Sequence, residues 1–208
     1  MICGQQIPIK EKMFYTCFAN GRLDMDLHFT IKVITKIGEK MKIFIFGILA
    51  SGKTTLAKSL SQQYNIPSYE GDCIAWNESN GRRYKRSNIE QKEVIDKINS
   101  QGEWIIEGTY RESQRCLFDM AEKIIFLDTP LWIRKIRIVT RFIKQQVGIE
   151  NCHYKSDLKM LKLMFKWTKD FEQDRNKYEE MLDSYSDKLV VLKSSKELKT
   201  KLIGMVRI

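Results

Sequence analysis

Gly47, Gly52, Lys53 and Thr54 stand at the spacing G-x-x-x-x-G-K-T, with Ile48, Leu49, Ala50 and Ser51 between them and Thr55 immediately after. Glycines at the turn positions let successive backbone N–H groups point inward at one phosphate. A lysine in the seventh place reaches the β- and γ-phosphates, and a hydroxyl in the eighth coordinates the Mg²⁺ bridging them. The motif predicts a nucleoside triphosphate site, taken as ATP with Mg²⁺. Gly47, Ala50, Ser51, Gly52, Lys53, Thr54 and Thr55 form its cradle, Lys53 is a catalytic cation, and Thr54 is a metal ligand.

A second group of residues would decide what the triphosphate is used for. Glu103-Trp104-Ile105-Ile106-Glu107-Gly108 reads as a strand ending in an acid, with Arg111 four residues beyond Glu107. Ligands gather at strand C-termini in an open parallel sheet, so Glu107 would hold Mg²⁺ or its water shell and Arg111 a phosphate or the acceptor. Arg137 and Arg141 stand four apart and share a helical face just past the strand that ends at Asp128. They are candidate catalytic clamps, because phosphoryl transfer needs positive charge around the migrating group and a guanidinium grips two oxygens at once. Arg134 lies on an adjacent part of the same helix.

Positioning these residues requires strands before and helices after them. Ile43 to Phe46 leads into the loop, and a helix over about 51–63 leaves it. Ile66-Pro67-Ser68-Tyr69-Glu70 reads as a short strand, Asn77 to Gly81 as a turn-rich connection, and Ser87 to Ser100 as an amphipathic helix. Lys123 to Asp128 and Lys188 to Lys193 are further strands, a short helix is expected from Ser195, and 131–147 and about 156–186 are long helices. Continuous apolar strands separated by helices predict an α/β fold, a parallel sheet covered on both faces.

The chain has 208 residues, enough for one domain with a small lid. Residues 1–40 show no sustained period and are expected to be an N-terminal extension outside the core; Met41 is the natural start of the kinase-like part, 41–208. The five cysteines, Cys3, Cys17, Cys73, Cys116 and Cys152, are scattered and without a C-x-x-C pair, which argues for reduced thiols in a cytoplasmic protein. No segment approaches transmembrane length, and no membrane partner is expected. Residues 131–169 hold ten Lys/Arg against Glu150 and Asp157, and so carry eight of the ten excess positive charges. Such a block serves as phosphate clamps or as a nucleic-acid footprint, while Lys155, Lys159, Lys162, Lys166 and Lys169 have the spacing of a solvated helix face.

From Met41 onward the chain resembles the adenylate-kinase-like P-loop kinases labelled DNA topology modulation proteins, the FlaR-related group. The resemblance rests on the phosphate loop, Asp72-x-x-x-Trp76, Trp104-Ile105-Ile106-Glu107-Gly108-Thr109-Tyr110, Arg115, Ile125-Phe126-Leu127-Asp128-Thr129-Pro130 and Arg137-x-x-x-Arg141. It implies a three-layer nucleoside-monophosphate-kinase-like fold, a five-stranded parallel sheet of order 2-3-1-4-5 with a small helical lid around 142–156. It also implies that Asp72 sits beside the acceptor and is catalytic, with Trp76, Arg111 and Arg115 lining that site, and that Arg137 and Arg141 come from the lid base. Glu107 and Thr109 replace the family's usual Asp and Asn.

These readings lead to a phosphotransferase that moves the γ-phosphoryl of Mg-ATP to a small acceptor, a nucleotide, nucleoside or other hydroxyl compound, acting as monomer or homodimer. The competing class is a nucleotide-regulated nucleic-acid-binding protein affecting DNA topology. Cys152 and His153 are too few for a lid zinc site. Asn176-Lys177-Tyr178-Glu179 imitates a guanine-specificity motif but lies in a charged helical stretch. Trp76, Trp104, Trp132 and Trp167 read as core or rim aromatics.

Overall fold

A computed structural model describes residues 41–79, 82–150, 156–194 and 197. In chain order the elements are β1 (Lys42–Gly47), α1 (Lys53–Tyr64), β2 (Ser68–Glu70), α2 (Gly71–Ala75), β3 (Trp76–Ser79), β4 (Arg82–Lys85), α3 (Asn88–Ser100) and β5 (Trp104–Gly108). There follow a 3₁₀ turn (Glu112–Gln114), α4 (Cys116–Met120), β6 (Lys123–Leu127), α5 (Leu131–Gln146), α6 (Leu158–Gln173), α7 (Arg175–Asp183) and β7 (Leu189–Leu192). The expected extension over 1–40, the expected helix from Ser195, and Cys152, His153 and Lys155 of the expected lid lie outside the described residues.

The main sheet has the order β2-β5-β1-β6-β7 with every pairing parallel, which is the expected 2-3-1-4-5 arrangement once the β3–β4 hairpin is set aside. Its inner strands β1, β5 and β6 carry continuous apolar runs, Ile43–Phe46, Trp104–Ile106 and Ile124–Leu127, because both faces are covered. Ile43, Ile45, Ile105 and Ile125 point to the layer containing Leu56, Ala57 and Leu60 of α1. The alternate residues Phe44, Phe46, Ile106, Ile124 and Phe126 pack on Ile95 and Ile98 of α3, Phe118 of α4, Phe171 of α6 and Leu182 of α7. Aromatic rings knit this second layer: Phe44 meets Phe118 edge-on at 4.8 Å and Phe171 stacks on Tyr178 at 5.0 Å. Tyr178, half-buried, therefore packs against the core, which gives the Asn176–Glu179 stretch its structural explanation.

Two elements differ from the sequence expectation. The stretch read as a turn-rich connection after Trp76 is instead the first arm of an antiparallel hairpin, Trp76 pairing with Lys85 and Ser79 with Arg82. The Asn-Gly pair at 80–81 is the sequence signal for such a hairpin. The helix expected over 156–186 is two helices, broken at Asp174, whose φ of −90° and ψ of 8° fall in the bridge region. Aspartate is a weak helix former, and the break costs little there.

Candidate active site

The C-terminal ends of β1, β2, β5 and β6 bring the predicted residues together. Gly52 caps α1 with φ of 102°, a left-handed backbone that glycine adopts without strain, and Ala50 also has positive φ, at 60°. No side chain caps α1 and no acid lies in its first turn, so its first N–H groups face the loop cavity with the positive end of the helix dipole. Lys53 is buried and its Nζ donates to the Ile48 carbonyl at 2.8 Å across the loop. Burial pushes its pKa down, opposed by the charges of Glu107 and Asp72.

Glu107, at the end of β5, is buried to 7 % exposure, which excludes a solvated strand-end acid. Thr54 Oγ1 donates to Glu107 Oε1 at 2.7 Å. Burial raises the Glu107 pKa, while the Lys53 charge and the Thr54 hydrogen bond pull it down. A hydroxyl and a carboxylate form an oxygen-only donor set that fits a hard divalent cation. No cluster of three or more His, Cys, Asp or Glu among the described residues could hold a metal, so Mg²⁺ would need phosphate and water as its other ligands.

Asp72 is the second residue of α2, just past the end of β2, and the Arg111 guanidinium, arriving from the end of β5, donates to its carboxylate. The close seating of α2 on β5 depends on Gly71, where a Cβ would lie 3.0 Å from both the Glu107 carbonyl and Gln114 Oε1. Gln114 fastens the segment after Arg111 by donating to the Gly71 carbonyl at 2.9 Å. Trp76 is partly exposed, with the Arg83 guanidinium 4.9 Å from its ring centroid. Arg115 is not joined to the Asp72–Arg111 pair; it faces Glu112 at 3.8 Å and the Tyr185 hydroxyl.

Arg137 and Arg141, the expected lid-base arginines, have separate partners. Arg137 Nη1 donates to the carbonyls of Ala50 and Ser51 at 3.0 and 2.8 Å, which clamps α5 to the phosphate loop. Arg141 pairs with Glu150 at 3.2 Å and lies close enough to Lys53 to lower its pKa. Arg134, read from sequence only as a neighbour on the same helix, is fully buried. Its Nε donates to the Thr129 carbonyl at 2.8 Å, and Nη2 is bonded to Glu172. Thr129 in turn donates to the Ser51 carbonyl at 2.9 Å, and Arg175 joins Glu172 to Asp128. Sequence reasoning missed Glu172 and Arg175. Their only local signal was the three-residue spacing, which also describes a solvated helix face.

Of the lysines in the basic block, Lys159, Lys162, Lys166 and Lys169 are exposed on α6. Trp104 is buried core, whereas Trp132 and Trp167 are exposed.

No protein-family model matches the chain, and no curated protein matches it. Among solved structures it is similar to an uncharacterized protein from Eubacterium ventriosum ATCC 27560, with TM-score 0.48 and 16 % identity over 80 % of this chain and 98 % of that one. It is also similar to shikimate kinase from Bacteroides thetaiotaomicron, with TM-score 0.44 and 12 % identity over 80 % and 96 % of the two chains. A gluconokinase from Sinorhizobium meliloti 1021 gives TM-score 0.43 and 14 % identity over 79 % and 90 %. At such values the reading of the site rests on this chain's own residues.

Proposed function

We propose that the protein is an ATP-dependent phosphotransferase moving the γ-phosphoryl of Mg-ATP to a small acceptor. The observation that carries this reading is the buried Lys53 and Glu107 with the half-buried Thr54 beneath a phosphate loop, and a second charged pair, Asp72 and Arg111, beside the neighbouring strand ends. Mg²⁺, when bound, supplies charge neutralisation between the phosphates.

The chain's own residues do the rest. The loop N–H groups hold the β-phosphate, and Lys53 exchanges its Ile48 carbonyl for phosphate oxygens. The phosphate charge returns Lys53 toward its ordinary pKa, offsetting the desolvation that lowers it in the free protein. Arg137 and Arg141 supply charge around the migrating group from the base of the lid, and Arg137 can leave the Ala50 and Ser51 carbonyls to do so. Asp72 accepts the proton of the acceptor hydroxyl or orients it, while Arg111 holds Asp72 and any acidic group on the acceptor. Closure of the segment around 142–156 would exclude water, which otherwise diverts the phosphoryl group to hydrolysis. The resemblance to adenylate-kinase-like proteins supports a nucleotide or nucleoside as acceptor.

The test is Mg²⁺-dependent ADP formation by the purified protein against a panel of nucleoside monophosphates, nucleosides and hydroxyl metabolites, with Lys53→Ala as control. Acceptor-stimulated turnover that vanishes in the variant is the expected result. ATP binding with no stimulation by any acceptor would move the nucleic-acid reading ahead. The exposed row Lys159, Lys162, Lys166 and Lys169 carries that second reading, and a steep salt dependence of DNA binding would support it.

A further inference from the structure

α5 is built inside out. Its buried residues are Arg134 and Ile138, while Trp132, Ile136, Val139 and Ile143 are 65 %, 56 %, 40 % and 54 % exposed, and Val147 just past its end is 61 % exposed. These five recur at intervals of four, three, four and four residues and form a single file about 22 Å long at 1.5 Å per residue. At 3.6 residues per turn, the file is centred about 160° round the helix from Arg134 and Ile138 and about 140° from Arg137 and Arg141. It therefore faces away from both the core and the phosphate loop.

The charge around the file limits its occupant. α5 contains no acid, and the exposed Lys135 and Lys144 flank the apolar residues on opposite sides. A second copy of this chain would set lysine against lysine across the same surface. The file exposes on the order of 500 Å² of apolar surface, within the range of the largest functional patches on single proteins. That is short of the roughly 800 Å² per partner of a standard protein interface. A tryptophan and branched aliphatics in one line, edged by lysines, suit an anionic lipid surface, where the apolar groups enter the headgroup boundary and the ammonium groups remain at the phosphates.

We propose that the Trp132–Val147 file docks the protein on anionic membrane surfaces, lying in the interface and leaving the phosphate-loop side of α5 free. The sequence expectation of no membrane partner rested on spanning length. No described helix is long and apolar enough to cross a membrane, and a helix that lies on the surface does not need to be.

The test is flotation of the full chain with phosphatidylcholine vesicles and with vesicles mixed with phosphatidylglycerol. Flotation with the anionic vesicles alone, weakened by salt, is expected. The double variant Ile136→Glu, Ile143→Glu should lower partitioning tenfold or more, and Lys135→Gln with Lys144→Gln about 5-fold per lysine. All four sites are exposed, and an unchanged circular dichroism spectrum and Tm verify the fold of each variant. The difference in emission between the protein and Trp132→Phe should shift to the blue on anionic vesicles. The proposal is overturned if the protein floats with neither vesicle, or if binding is indifferent to the glutamate pair. It is also overturned if the glutamates instead dissociate a dimer seen by light scattering in the absence of lipid.

Discussion

Glu172→Ala should destabilise the protein more than Arg134→Met, although the two residues form one ion pair. Arg134 is 0 % exposed, and its Nη1 has no hydrogen-bond partner among the described residues. Its guanidinium stays charged at any ordinary pH. Loss of Glu172 leaves that charge buried with no anion, beside only a carbonyl, that of Thr129, and the Phe171 ring, whose centroid is 5.7 Å away, among the partners the described residues supply. Breaking a buried pair in this way costs about 3–5 kcal/mol, and because the Glu172 side chain is 27 % exposed the lower end, about 3 kcal/mol, applies. For a domain of this size the loss corresponds to a fall in Tm of about 6–12 °C. Arg134→Met removes the charge itself. What remains is a buried Thr129 carbonyl without its donor, about 1–2 kcal/mol, while Glu172 keeps Arg175. The double variant Arg134→Met, Glu172→Gln should lie within about 1 kcal/mol of Arg134→Met alone, the difference being the part-exposed Glu172–Arg175 pair. Urea titrations of the four proteins, compared at a common m value, provide the measurement. An Arg134→Met protein as unstable as Glu172→Ala would refute the argument that the uncompensated charge dominates.

Gly52→Ala should lower stability by about 1–3 kcal/mol, because alanine must hold φ of 102° with its Cβ 3.3 Å from Arg137 Nη1; titration calorimetry should also show weakened ATP binding. Glu107→Gln should make the nucleotide-free protein relatively more stable as pH rises. Burial raises the Glu107 pKa, so its stabilising protonated form is complete below the ordinary carboxylate value and is lost as pH climbs through the folded one, whereas glutamine carries no such dependence. Scanning calorimetry of both proteins from acid to neutral pH checks this, and a constant difference between them would contradict it. Asp72→Asn and Arg111→Lys should each impair use of the acceptor tenfold or more in kcat/KM, with the Kd for ATP unchanged, since their pairing lies on the β2 and β5 ends and not in the loop. An equal loss in ATP affinity would place the pair in the nucleotide site instead.

The loop half of the proposed site was legible in the chain because it is local. Eight consecutive residues carry the cradle, the lysine and the hydroxyl, and the apolar runs on either side demand a strand and a helix whose geometry follows from the backbone alone. Glu107 was legible for a related reason: an acid that closes an apolar strand in a parallel sheet must emerge where the other strands end. Only tertiary structure decided which charges meet. Arg111 reaches Asp72 across 39 positions, Thr54 reaches Glu107 across 53 and Arg137 reaches Ser51 across 86. Arg134 and Lys135 look alike in sequence, yet one is sealed against Glu172 and the other lies in solvent. Helical spacing specifies which residues share a face, but not which face turns inward. On α5 the packing of α6 turned an arginine in and a tryptophan out, because Glu172 and the Thr129 carbonyl receive two of the guanidinium nitrogens at that position and nothing comparable among the described residues receives Trp132.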